Sequence, residues 1–342
     1  MKIRFSNIPI IVAAVLLPWA GLSAQSAPVV IRAGHFPNIT HSQAMVGKAN
    51  GWFEKAMAPE ARIDWKVFNA GPSAIEALFA GEIDLTYIGP NPAISVYVRS
   101  QGEALRIVAG ATSGGAALVV RSDAGISRVE DFRGKKIASP QLGNTQDVAL
   151  RAWLQQQNLR LREKGGDVMV LPIANPDQLT LFLRKQIDAA WSPEPWASRL
   201  IREANGRLFF DERDLWPDRQ FVTAHIIVRT KFLRQHRALV KKWLKTHVEL
   251  TEWINQNLPE AKRILNEQLK KETGKALPAQ VLDDSFSRLE VTYDPIRNSL
   301  LTSAKWAFDA GLLGRQRPDL SGIYDLSVLN EILKERGAKP LR

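Results

Sequence analysis

The 342-residue chain contains no cysteine, only five histidines, four methionines and four tyrosines. Without cysteine there is no thiolate nucleophile, no iron–sulfur cluster, no cysteine-ligated zinc and no lipid carried on an N-terminal cysteine. His35 and His41 flank one loop, but no HExxH occurs and no carboxylate or third histidine stands at ligand spacing, so no metal is expected. Neither GxxxxGK[ST] nor GxGxxG is present, which removes the usual phosphate-cradling loops, and GxSxG is missing too. With no nucleophile and no cofactor signature, the sequence predicts neither an enzyme nor a cofactor. Beyond the first residues, no apolar run approaches the length of a membrane span.

What is present describes a globular chain. Hydrophobic residues make up 45% and charged residues 24%, which excludes disorder, collagen, coiled coil and disulfide scaffolds and leaves room for two domains. Lys2 and Arg4 precede an apolar run over residues 8–24, followed by Ser23-Ala24-Gln25-Ser26-Ala27. This is the layout of a secretory signal, expected over residues 1–27 and cut between 24 and 28; Pro18 and Gly21 break the run, which argues against a membrane anchor. The net charge of +11 biases encounters toward anions. The cations are interspersed with acids and carry no nucleic-acid motif, so no nucleic acid is expected as a partner.

From residue 29 onward, β-rich runs alternate with helical patterns, the signature of α/β architecture with mainly parallel strands. Strands are expected over 29–34, 63–68 and 83–88, with helices near 41–56, 73–80 and 92–99. A second set follows, with strands over 135–139, 167–172 and 187–191 and helices near 145–157, 176–185 and 194–204. The sets match at a constant offset, which pairs Pro72 with Pro176, Leu78 with Phe182, Ile83 with Ile187 and Asp84 with Asp188. In each, a proline in the first helical turn opens a short helix that leads through Ile-Asp into a strand. Duplication predicts two lobes, each a small sheet with helices on its faces. Ser113-Gly114-Gly115 marks the crossing between them, and 222–229 is the return strand. Lobe I then comprises 28–115 and 223–342, and lobe II 116–222. The helical remainder pads the first lobe.

In open α/β sheets, ligands bind outside the C-terminal strand ends, where the following helices present unpaired N–H groups and the positive end of their dipoles. Several such ends converging from two lobes suit a small anion. Asn38, Thr40, Asn91, Asn144 and Thr145 stand at these positions as short polar donors; each residue could equally serve as a helix cap alone. Trp191-Ser192-Pro193-Glu194-Pro195-Trp196 brackets a carboxylate with two tryptophans, offering a wall for an organic group, or else only a packing unit.

Three stretches carry a resemblance. Gly34-His35-Phe36-Pro37-Asn38-Ile39-Thr40-His41, the segment from Gly81-Glu82-Ile83-Asp84 to Gly89-Pro90-Asn91-Pro92-Ala93, and Ile187-Asp188-Ala189-Ala190-Trp191 with Glu194-Pro195-Trp196 are similar to the nitrate/sulfonate/taurine branch of periplasmic substrate-binding proteins of ABC transporters. The resemblance spans residues 28–335. It implies a two-lobed, type II Venus-flytrap fold with two crossover strands, and a ligand clamped between the lobes. It further implies delivery to an inner-membrane permease with a cytoplasmic ATPase. Its ligand contacts would fall on Asn38, Thr40, Gly89, Pro90, Asn91, Ser113, Asn144, Thr145, Trp191, Glu194 and Thr223. The chain departs from some relatives at Asn144-Thr145, where Gly-Ser is frequent, and at Glu194. The expectation is an exported, periplasmic monomer that captures a small organic anion, an aliphatic sulfonate. The alternatives are a pyrimidine-forming enzyme on the same scaffold, whose cysteine-rich motif is missing here, and a ligand-sensing module.

Overall fold

A computed structural model of the chain describes residue 1 and residues 27–341. Nearly all of the expected signal peptide lies outside the described residues. The chain opens with β1 (Val29–His35), β2 (Ala61–Val67), β3 (Leu85–Ile88) and β4 (Leu105–Gly114). It continues through β5 (Ala116–Arg121), β6 (Lys136–Ser139), β7 (Met169–Pro172), β8 (Ala189–Pro193) and β9 (Gly206–Asp211), then closes with β10 (Val222–Arg229) and β11 (Leu289–Val291). Two sheets result, one ordered β11-β4-β10-β3-β1-β2 and the other β7-β6-β8-β5-β9.

Both sheets are mixed. Parallel pairing, as the alternating pattern predicts, runs through β2-β1-β3 and β7-β6-β8. The remaining pairs are antiparallel: the strands that bring the chain into a sheet from the other half, β5 and β10, insert against the local direction, and β11 runs against β4 at the edge. Apolar side chains cover both faces of each sheet: Leu118 and Val120 join one core of the second sheet, Ala117 and Val119 the other. Two-sided burial explains the continuous apolar strand sequences.

The duplicated segments take matching forms, helices Gly71–Phe79 and Asn175–Leu183, each with proline in the first turn and each leading to the next strand of its sheet. The single helix expected over 41–56 is instead two, Ser42–Ala49 and Trp52–Met57. The sheets are joined twice. The first joint is Gly115 alone, between β4 and β5, with Gly114 and Gly115 at φ of +71° and +79°. A Cβ on Gly114 would come within 2.6 Å of the Arg288 carbonyl, so the crossing requires glycine. The second joint, residues 212–221, is plugged by Trp216 stacked on Phe221 and packed against Trp306. Among the described residues no helix is long and apolar enough to cross a membrane.

Candidate functional site

Five helix starts meet where the sheets face each other. His41 precedes helix Ser42–Ala49, Ala70 precedes Gly71–Phe79, Gly89 precedes Pro90–Arg99, Asn144 precedes Thr145–Gln156, and Asn175 opens Asn175–Leu183. All five residues line one inner cavity of about 30 Å³, together with Phe36, Asn38, Thr40, Thr145 and Thr223. Its walls obey the repeat: Phe36 and Pro140, Thr40 and Asn144, His41 and Thr145, and Gly89 and Pro193 stand at the offset that pairs Pro72 with Pro176. No charged side chain is among the lining residues.

The cavity's polar atoms are unevenly satisfied. Asn144 Oδ1 accepts from the Gln146 N–H at 3.0 Å, so this residue caps its helix as well as lining the cavity. Asn38 Oδ1 accepts from Trp196 Nε1 at 3.0 Å, joining the loop after β1 to a helix of the other half. The Thr40 carbonyl accepts from Thr112 Oγ1 at 2.6 Å, and Thr223 Oγ1 donates to the Gly114 carbonyl, which fixes both residues beside the first crossing. Thr145 Oγ1 and Asn175 Oδ1, by contrast, are buried with no partner. Buried polar atoms are seldom left so, because each lost partner costs on the order of 1–3 kcal/mol. Burial holds the His41 imidazole down at about 3, hence neutral. Its Nδ1 accepts from the Phe36 N–H at 3.2 Å, which leaves the ring proton on Nε2 as a donor.

Of the expected site residues, Asn38, Thr40, Gly89, Asn144, Thr145 and Thr223 come together here, and five do not. Pro90 is the first residue of its helix. Asn91 turns away to Ser303, whose Oγ donates to it at 2.7 Å. Ser113 sits in the sheet between Val222 and Glu290. Trp191, expected as a wall for the ligand, is a core residue of the second half: it packs on Phe210, and its Nε1 donates to Glu212 at 2.6 Å. Glu194, fully buried, accepts from Ser285 Oγ and from Arg288, each at 3.0 Å, and so locks the halves together behind the cavity. Burial raises its carboxyl above the usual range against the pull of Arg288. Within this motif Trp191 packs and Glu194 ties the halves together, while Pro193 lines the inner cavity.

Residues not anticipated include Asn69, Gln146 and Asn175, although the repeat marks Asn175 as the counterpart of Gly71 at a helix start. Thr145 reaches across to Gly89 so closely that a Cβ there would lie 2.3 Å from its hydroxyl, so the halves are shut on each other. Among the described residues, no group of three or more histidines, aspartates or glutamates could hold a metal ion.

Two α/β halves, joined by paired crossings and closed over a polar chamber of helix starts, form the fold of the two-lobed periplasmic binding proteins. Residues 24–269 match the NMT1-like family, and the chain belongs to it. It is 25% identical over 303 residues to the "Putative aliphatic sulfonates-binding protein" of Bacillus subtilis (strain 168), covering 87% of this chain and 86% of that one. It is 26% identical over 206 residues to the taurine-binding periplasmic protein of Escherichia coli (strain K12), covering 60% and 61% of the two. The alkanesulfonate-binding protein SsuA from Xanthomonas axonopodis pv. citri, solved bound to MOPS, shares the fold with a TM-score of 0.71 and 21% identity over 85% of this chain and 96% of its own. These relatives are named as binding proteins.

Proposed function

We propose that the chain is the periplasmic substrate-binding component of an ABC importer and that it captures a small organic anion, an aliphatic sulfonate. It is read as a binding protein with no catalytic step. Lobe I comprises 28–115 and 223–342, and lobe II 116–222. One observation carries the reading: Thr145 Oγ1, a donor from the second half, is buried without a partner in a chamber ringed by helix starts and free of lining charges. A sulfonate brings three ionised acceptor oxygens that do not protonate at neutral pH. The hydroxyl of Thr145, the Nε2–H of neutral His41 and the helix-start amides supply donors from both lobes. A carboxylate among these groups would repel the guest, and none lines the chamber.

The chamber is too small for an organic molecule as it stands, so capture proceeds by separation and reclosure, with the ligand contacting both lobes at once and favouring the shut form. The protein works as an exported monomer, without nucleic acid or cofactor, and hands its cargo to a membrane permease. The test is a thermal-shift panel of alkanesulfonates, nitrate, phosphonates and carboxylates on the purified mature chain, with mass spectrometry of whatever copurifies. Sulfonates are expected to raise the melting temperature, by an amount that grows with the logarithm of their concentration above Kd. A response confined to carboxylates, or chemical conversion of the ligand, sinks the reading.

A further inference from the structure

The first half holds a basic cavity of about 220 Å³ away from the cleft. Arg106 lines it from the start of β4, Thr230, Arg234 and Arg237 from the helices that follow β10, and Asp325 and Ser327 from the start of helix Ser327–Glu335. β4 and β10 run antiparallel, with Arg229 opposite Leu105 at this end and Val222 opposite Ser113 at the other, beside Thr223 of the inner chamber. The rise of β10 from Thr223 to Thr230 sets the two cavities about 20 Å apart along the sheet.

Three features of this cavity suit an anion. The lining sets three guanidinium groups against one carboxylate, and that carboxylate is engaged at its own helix start: Asp325 Oδ1 accepts from the Ser327 N–H at 3.1 Å and from Ser327 Oγ at 2.6 Å. Arg237 pairs with Glu331, whereas the Arg106 guanidinium donates to the Gly102 and Leu105 carbonyls, and neither Arg106 nor Arg234 has an ion-pair partner among the described residues. The second feature is Thr230, only 5% exposed, whose Oγ1 is buried with no hydrogen-bond partner. A buried hydroxyl is seldom left so. The third is the helix start, which adds N–H groups without intrahelical partners.

We infer that this cavity is a second anion site, built for a small tetrahedral oxyanion of two charges: phosphate, free or as the end of a phosphomonoester. Guanidinium forks match the oxygens of such an ion in pairs, and a cavity below the usual organic-ligand range of about 300–1,000 Å³ suits an ion over a larger molecule. The Thr230 hydroxyl supplies a further donor. Because every lining residue belongs to the first half, binding here neither closes the lobes nor depends on what the cleft holds. The bound ion instead fastens the C-terminal segment, which pairs with Ile107 of β4 through bonds of 2.8 and 2.9 Å, to the helices after β10.

Calorimetry and melting of the mature chain test this with inorganic phosphate and glycerol 3-phosphate, and with nitrate and methanesulfonate as monovalent controls at equal ionic strength. Phosphate is expected to bind with saturation. Arg234→Gln, an exposed change, and Thr230→Val, which keeps the side-chain shape, should each weaken it by about tenfold or more. Both variants should melt close to the parent when phosphate is absent, since one alters the surface and the other removes an orphaned hydroxyl. Glycerol 3-phosphate binding with the same dependence on both residues assigns the site to a phosphomonoester end; binding of phosphate alone assigns it to the free ion. Phosphate binding that survives both substitutions overturns the inference, and its loss in Thr145→Ala would then assign it to the cleft. No binding, or monovalent anions matching phosphate, overturns it equally. So does a rise in melting temperature shared by parent and variants, the mark of general salt exclusion.

Discussion

Asp84 and Asp188 hold the same post in the two halves. Asp84 Oδ2 accepts from the Arg32 N–H at 3.0 Å and its own N–H donates to the Arg32 carbonyl at 2.8 Å; Asp188 repeats both bonds with Lys136, at 2.9 and 2.8 Å. Arg229 and Arg121, each closing the strand that enters from the other half, donate their N–H groups to the carbonyls of Asp84 and Asp188 at 2.8 and 2.9 Å. Each also sets its guanidinium near the carboxylate, at 3.4 and 3.6 Å. The pair therefore pins both crossover strands to their sheets. Asp84 is the more buried, with side-chain exposure of 6% against 22%. Urea unfolding should show Asp84→Ala costing about 2–3 kcal/mol and Asp188→Ala about 1 kcal/mol. Equal costs would mean that burial does not set the difference.

Thr145→Ala removes a buried hydroxyl with no protein partner. Ligand affinity should fall by about 1.5–3 kcal/mol, the worth of a hydrogen bond to a charged group. Stability without ligand should stay level or rise, since an orphaned polar atom is lost. Calorimetry and unliganded melting, read together, separate the two effects; unchanged affinity would remove Thr145 from the site.

Gly89 has ordinary backbone angles, φ −70° and ψ 160°, so alanine fits its own chain. What it does not fit is the shut cleft, where the new methyl would meet Thr145 Oγ1 and the Thr223 carbonyl. Gly89→Ala should leave the melting temperature without ligand nearly unchanged, yet weaken ligand binding by about tenfold or more, because the clash arises only on closure. Small-angle scattering should show the variant staying more extended when ligand is added.

Glu212 links the second joint to the core of the second half, accepting from Trp191 at 2.6 Å and Trp216 at 3.4 Å. Burial outweighs both indole donors and pushes its carboxyl up to about 7. Between the unfolded value near 4.5 and 7 the folded state holds a proton that the unfolded chain has released, so this group's contribution is present at low pH and is lost as pH rises through 7. Buried His225 and His247, both held down at about 4, act oppositely, withdrawing stability as pH falls below 6.5. The Glu212→Gln variant isolates the first effect: relative to the parent, its stability should climb by up to about 3 kcal/mol between pH 4.5 and 8. A parallel pair of pH profiles would refute the raised carboxyl.

Much of the fold was legible because its signals are local. Proline in the first helical turn, the Ile-Asp entry to a strand and the Gly114-Gly115 pair lie within a few residues of what they specify. β9 and β11 were not read: one is an edge strand whose exposure does not alternate, and the other alternates but is only three residues long. The site divides along the same line. Asn38, Thr40, Asn144 and Thr145 follow from short polar residues placed after strands. For Trp191 and Glu194 the sequence left ligand contact and packing both open, because the partners that hold them, Glu212 and Arg288, are supplied by distant segments. Burial alone makes His41 a neutral donor, and no spacing announces that.

The unequal joints set the path of opening. The first joint is the single residue Gly115, where even a Cβ would come within 3.1 Å of Thr40 and Leu289, and a joint so short and crowded suits a pivot, while the second runs over residues 212–221. Motion about such a pivot is a swing, small near Thr40 and Thr223 and large at the rim by Lys275 and Thr180. An arriving guest would thus be oriented head first at the still end of the jaw before the rim comes down on its tail.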